Sequence, residues 1–176
     1  MKGVILLALK EMVIERFGGA SRWEEILETA GITEKLHILP ITDIDDRIVM
    51  DILNGLMKVL NINIEKAGEA FGDYWINVYA QKFYKAYFVG VKNAKEFLLK
   101  MDNVHTASTK NLPEASPPKF QYEWKDDNTL IMKYLSKRKL IDIMVGLIKG
   151  VGKYFNEELK VRKIANDRVE IVFPYT

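Results

Sequence analysis

The chain has 176 residues, 48% of them hydrophobic and 28% charged, with a formal net charge of +2. That is enough apolar material for one medium domain or two joined subdomains, and it gives no bulk field that would select nucleic acid or an anionic membrane. With no cysteine, the chain excludes disulfides, thiolate metal sites, iron–sulfur clusters, cysteine nucleophiles and covalent haem attachment.

Residues 4–17 read as an amphipathic helix, with Val4, Leu7, Ala8, Met12, Val13 and Phe17 near three- and four-residue spacing. Lys10, Glu11, Glu15 and Arg16 interrupt its apolar run, so neither a membrane span nor a secretory signal is expected, and a cytoplasmic location is. Ser21, three residues before Glu24, predicts a capping-box start for a second helix that stops at Gly31. After Pro40 the segment TDIDDRIVMDILNGLMKVLNI predicts a third helix with an acidic first turn. His37, just before Ile38-Leu39-Pro40, is assigned to structure.

Phe71, Tyr74, Trp75, Tyr79, Phe83, Tyr84, Tyr87 and Phe88 recur at helical steps, which predicts a helix with a thick aromatic wall, for the core or for a flat cofactor. A further helix is predicted over 92–109. Strands are predicted at 119–124, 129–138, 158–164 and 167–173, with turn signals at Asp126-Asp127-Asn128 and Ala165-Asn166-Asp167. Between the strand pairs, LIDIMVGLIKGVGKYF predicts a helix with Leu140, Ile143, Met144, Leu147, Ile148 and Val151 on one face. The predicted class is α+β: a helical N-terminal subdomain (about 1–65), then helices with a four-stranded antiparallel sheet (about 66–176). Charge follows a related division, with seven basic and ten acidic residues in 1–60 against nine and three in 133–163.

His105 shares the predicted stripe with Phe97, Leu98, Met101 and Ser108. A lone imidazole on an apolar face is more often a hydrogen-bonded core histidine than a ligand. Zinc would need more ligands than the chain's two histidines offer, whereas a haem needs only one. In Tyr134-Leu135-Ser136-Lys137-Arg138, strand alternation would put two hydroxyls and a guanidinium on one face, a donor set suited to paired carboxylates. An exposed polar strand face is the competing reading. No nucleophile–base pair, glycine-rich phosphate loop or paired carboxylates suggest an enzyme.

Taken together, MKG at the start, FGDYW at 71–75, MDNVH at 101–105, SPPKF at 116–120, YLSKRK at 134–139 and GLIKG at 146–150 resemble the H-NOX (heme–nitric oxide/oxygen binding) domain family, related to the heme domain of soluble guanylate cyclase. The resemblance covers essentially the whole chain and is to the stand-alone bacterial type. It implies a single domain with non-covalent heme b, ferrous when sensing, between the two subdomains. His105 would be the axial ligand, Tyr134, Ser136 and Arg138 the propionate clamp, and Pro118 the residue that bends the porphyrin, with Met101 beside it. Ile5, Leu9, Trp75, Tyr79, Ile143 and Leu147 would line the distal gas pocket. The distal tyrosine of O₂-binding relatives falls on Ile143, and the positions that assist it fall on Leu9 and Trp75. Hence the resemblance implies binding of NO and CO, no stable O₂ complex, and signalling by weakening of the Fe–His105 bond. The partner implied is a sensor histidine kinase or a diguanylate cyclase/phosphodiesterase in trans. An O₂-binding or NO-scavenging protein without a partner is the alternative. An acidic residue near Asp46, with Asp43 and Asp45 as competitors, would pair with Arg138.

Overall fold

The computed structural model describes residues 1–34 and 36–174. The chain divides into two compact units, Met1–Ala67 and Gly68–Thr176.

The first unit is helical: α1 (Gly3–Arg16), α2 (Gly19–Thr29), α3 (Asp46–Leu60) and the first turn of α4 (Ile64–Tyr74). Leu6, Ala8, Met12, Val13, Ile26, Ile52 and Leu56 are essentially inaccessible to water and make its core. Helix α2 begins two residues before the predicted cap. Gly18 and Gly19 adopt φ of 113° and 82°, which lets the chain re-enter a helix at once, so Ser21 lies inside it and donates to the Gly18 carbonyl. Helix α3 is capped by Asp45, whose carboxylate accepts from the Arg47 amide at 2.8 Å. His37 is exposed on the intervening loop.

In the second unit, α4 runs into a π-helical turn (Trp75–Tyr79), α5 (Ala80–Phe83) and a 3₁₀ turn (Lys85–Phe88). The widened turn is fastened by Asn77, whose amide donates to the Gly150 carbonyl and to Asp73, both at 3.2 Å. The helix predicted over 92–109 is two helices, α6 (Ala94–Leu99) and α7 (Met101–Thr109). At Lys100 the amide bonds back only three residues, to the Phe97 carbonyl at 3.1 Å, and the regular helix is interrupted. Phe97 and Leu98 turn into the core at 2% and 3% exposure, while α7 has no fully buried residue, although its half-buried Met101 packs against the same core. The shared stripe expected for Phe97, Leu98 and His105 is therefore interrupted at Lys100.

Strands β1 (Lys119–Trp124), β2 (Thr129–Leu135), β3 (Lys160–Ala165) and β4 (Arg168–Val172) form one antiparallel sheet in the order β1-β2-β4-β3. Leu130, Met132 and Tyr134 of β2, with Val169 and Ile171 of β4, share a core with Phe97, Leu98, Met144, Ile148 and Val151. Helix α8 (Ile141–Tyr154) lies within this core. It meets α4 through glycine: a Cβ on Gly68 would stand 2.5 Å from the Asp142 carbonyl oxygen, and one on Gly150 would stand 2.5 Å from that of Gly72. Gly72 and Gly146 are closer still, backbone against backbone.

Candidate functional site

Strand β2 ends at Leu135, three residues short of its predicted limit. The Ser136 hydroxyl accepts from the Arg138 amide at 3.3 Å, and Lys139 takes a φ of 53°, so residues 136–139 turn away from the strand. Alternation therefore does not align Tyr134, Ser136 and Arg138; a turn presents the latter two. Arg138 reaches instead to the Ser116 carbonyl, donating at 2.7 Å.

That contact opens a series along one segment. His105 Nδ1 lies 3.2 Å from the Pro118 carbonyl, and the Asp102 carboxylate accepts from the Phe120 amide at 3.1 Å. Residues 116, 118 and 120 thus hold Arg138, His105 and Asp102 by alternate backbone groups. The rings continue the link: His105 to Phe120 at 5.7 Å between centroids, and Phe120 to Tyr134 at 6.2 Å across the β1–β2 pair. Met101, one turn before His105, is half-buried.

The Pro118 carbonyl can only accept, so the proton of a neutral ring sits on Nδ1 and Nε2 carries a lone pair. Burial favours this neutral form and lowers the imidazole below its ordinary value of 6.5, against weaker opposing effects of the Pro118 carbonyl and the Asp102 charge. Later in α7 the Ser108 and Thr109 hydroxyls both donate to the His105 carbonyl, at 3.2 and 2.7 Å.

Asp102 is a residue that sequence reasoning missed, although it stands in the MDNVH motif three positions before the histidine. Its removal by Asp102→Ala leaves the Phe120 amide unpaired and is expected to cost about 1–3 kcal/mol in denaturant melts. Asp102→Asn keeps an acceptor and should recover most of that. Both remove a charge that raises the His105 pKa, so imidazole NMR titration should show it lower than in the wild type.

A depression of about 390 Å³ adjoins this end of the sheet, lined by Tyr134, Ser136, Lys139, Asp142, Lys163 and Asp167 among others. Lys163 is committed to Asp142, at 2.9 Å from both carboxylate oxygens.

The aromatic wall follows the π turn. Trp75 stacks on Tyr79 at 5.3 Å and on Tyr84 at 5.9 Å, and Phe71 lies 5.8 Å from Trp75. Tyr79 is 3% exposed, with Phe83 at 4.9 Å on its other side. Ile143 and Leu147 are half-buried on α8. In the N-terminal unit, Leu9 is buried and Ile5 half-buried on α1. There too, Asp43 pairs with Lys2 at 2.7 Å, Asp45 with Arg47 at 3.0 Å and Asp46 with the Met1 amino group at 2.8 Å. Among the described residues no group of three or more histidine, aspartate or glutamate side chains is placed to hold a metal ion.

Residues 2–163 match the model of the Haem-NO-binding family, and the chain belongs to that family. It is thus an H-NOX domain, of a family that binds heme and diatomic gases. A Cs H-NOX mutant carrying 4-cyano-L-phenylalanine at site 5 is 28% identical, with 99% of this chain and 97% of that one aligned at a TM-score of 0.86. An oxygen-binding H-NOX domain related to soluble guanylate cyclases, solved as its oxygen complex, is 29% identical over 99% and 96% at 0.81. An H-NOX protein from S. oneidensis in the Fe(II)NO state shares the fold at a TM-score of 0.83, with 20% identity over 99% and 98%. No curated protein matches the sequence. No helix among the described residues is long and apolar enough to cross a membrane.

For the cofactor-free chain the sign of the pH effect follows from the depressed imidazole. Near pH 6.5 the unfolded chain binds more protons at residue 105 than the folded chain does. This contribution is fully present above the unfolded value and is lost as pH falls through the lower folded one. Melting curves from about pH 8 to about pH 5 should therefore show the wild type losing more stability on the acid side than His105→Gln.

Proposed function

We propose that this domain is an NO-selective heme sensor, with His105 as the axial ligand of a non-covalent heme b. The observation that carries the reading is the imidazole itself: half-buried and favoured in its neutral form, with Nδ1 fixed by Pro118 and the Nε2 lone pair left on the ring. The donor set fits the group. A backbone carbonyl behind a ligating histidine fixes its tautomer and orientation, as heme and metal sites require. Tyr134 from β2, with Ser136 and Arg138 from the turn after it, would hold the propionates, with Pro118 and Met101 against the porphyrin.

When bound, the heme would supply a ferrous iron able to take NO. His105, held by the Pro118 carbonyl, would be its protein ligand, and α7 would have two positions, with that bond kept and with it released, tied to β1 in both through Asp102 and Phe120. A partner that binds the two positions of α7 with different affinity would be regulated in trans. Its class is that of a sensor histidine kinase or a diguanylate cyclase/phosphodiesterase, and we assign the domain no catalysis of its own and a cytoplasmic location.

Selectivity rests on Ile5, Leu9, Trp75, Tyr79, Ile143 and Leu147. Isoleucine at 143 and leucine at 9 and 147 offer no hydrogen-bond donor to a polarised diatomic, and the Trp75 and Tyr79 rings are fixed by stacking. O₂ needs such a donor to be retained, whereas NO and CO do not. The reduced protein opened to air should give no lasting oxygen-complex spectrum but should respond to NO and CO. A spectrum of an oxygen complex that persists in air overturns the selectivity.

A further inference from the structure

Residues 74–95, YWINVYAQKFYKAYFVGVKNAK, contain four lysines, seven aromatic residues and no acidic residue. Part of this stretch is core, but not its tip. Phe83 is 62% exposed and Val89 76% exposed, with Lys82, Lys85, Ala86 and Lys92 also at the surface. Glu96, just past the stretch, accepts from the Lys92 amide at 2.9 Å and offsets part of that lysine's charge, which leaves Lys82 and Lys85 as the cations nearest in sequence to Phe83. Water-exposed apolar side chains of this size beside lysines mark an interaction surface.

We propose that this tip is a membrane-docking knob, which inserts Phe83 and Val89 into the interface of an anionic bilayer while the lysines meet lipid phosphates and carboxylates. Four observations support it. The tip is rigid, because Phe88 between its exposed residues is 7% exposed and stacks on Phe97 at 4.4 Å and on Tyr154 at 4.8 Å. Part of its backbone is satisfied internally: the Tyr87, Val89 and Val91 amides bond to the carbonyls of Tyr84, Ala86 and Phe88 at 3.0, 3.4 and 3.3 Å. A segment entering the interface must do this, since lipid offers little to an open amide. Tyr84 and Tyr87 are half-buried below the tip, at 6.4 Å from one another, with the amphipathic character favoured at headgroup level.

The fourth observation is the charge. Lysine is depleted from protein–protein interface cores, where arginine is favoured, and this stretch holds lysine alone. Lysine stems instead lie along an apolar surface with the ammonium at the lipid headgroups. The other exposed apolar pair, Leu39 and Ile41 at 62% and 64%, is followed by Asp43, Asp45 and Asp46, and an anionic surface would repel it.

The test is co-sedimentation of the whole chain, heme-loaded as purified, with phosphatidylcholine vesicles and with phosphatidylcholine–phosphatidylserine vesicles. The expected result is partition onto the phosphatidylserine vesicles that falls as salt is raised. The Phe83→Ser/Val89→Ser variant should lose at least about tenfold. Lys82→Gln/Lys85→Gln/Lys92→Gln should lose about fivefold per lysine, roughly a hundredfold in all. All five side chains are exposed, so melting temperatures should hold; if the serine variant melts early, the glutamine variant alone decides. No partition of the wild type, or partition that the lysine substitutions leave unchanged, overturns the proposal. Binding of polyglutamate in place of phosphatidylserine vesicles, lost in the glutamine variant, overturns it too and assigns the knob to an acidic protein.

Discussion

His105→Ala is expected to purify without a Soret band, with heme affinity lowered roughly 100-fold or more. The basis of that magnitude is that loss of a mere supporting partner of a ligand already costs about 10–100-fold, and His105 would be the bond itself. The substitution removes a half-buried ring that touches the Pro118 carbonyl and, at the margin of the core, Phe120, so the apoprotein should keep its far-ultraviolet dichroism. That separates cofactor loss from misfolding. His105→Gly supplied with free imidazole should recover the band, because the small ring can occupy the same place against Pro118. It should also place a partner in its NO-activated state without NO, since nothing then links the ligand to α7. A full-occupancy Soret band in His105→Ala would remove the ligand assignment, and with it the proposed mechanism.

The second large effect is expected far from any ligand. Gly146→Ala would thrust a methyl group into the backbone of Gly68, and Gly72→Ala would meet the backbone of Gly146. Neither neighbour is a flexible side chain that can swing aside. Overpacking a well-filled site costs about 1–3 kcal/mol, and here the two helices themselves must separate, so the cost should lie at the top of that range. For a chain of this size each kcal/mol is about 2–4 °C in melting temperature, and calorimetry should show a fall of roughly 6–12 °C. The double variant should cost less than the sum of the two, because once the helices have parted the second methyl group enters a gap already opened. A fall of under about 2 °C for Gly146→Ala would mean that the α4–α8 crossing is looser than its geometry.

These glycines show where the sequence could and could not be read. GLIKG and FGDYW were recognisable as motifs, but their glycines face one another across more than seventy residues, and no local pattern reports such a pairing. The four strands and both hairpins were legible because turn chemistry is local: Asp126-Asp127-Asn128 and the Asn166-Asp167 corner announce themselves. The limits of elements were less so. Alternation in YLSKRK continues past Leu135 although the strand does not, since the Ser136 hydroxyl and the positive φ of Lys139 turn the backbone. The π turn was hidden for a related reason. Aromatics at three- and four-residue steps fit a helix with or without one widened turn, and the side chain that fastens it, Asn77, carries no apolar signal. His105 itself was singled out by its isolation, but the apolar stripe used to argue its burial ends at Lys100. What replaces the stripe is a set of hydrogen bonds to residues 116–120, and Asp102, invisible to hydrophobic periodicity, is half of it.

The two contacts that steady α7 also solve a problem of solubility. Strand β1 is an edge of the sheet, with one row of backbone groups facing away from β2. Such an edge is a template on which another chain can add a strand, and KFQYEW, with three aromatic residues in six, is suited to it. The carboxylate of Asp102 caps the Phe120 amide and the imidazole of His105 caps the Pro118 carbonyl, so two side chains of a helix stand where a neighbouring strand would bond. The opposite edge, β3, is guarded by charge instead, with Lys160, Arg162 and Lys163 along it. The helix that carries His105 is thus also the guard of the sheet's more aromatic edge, and a substitution that frees it would open that edge to strand addition.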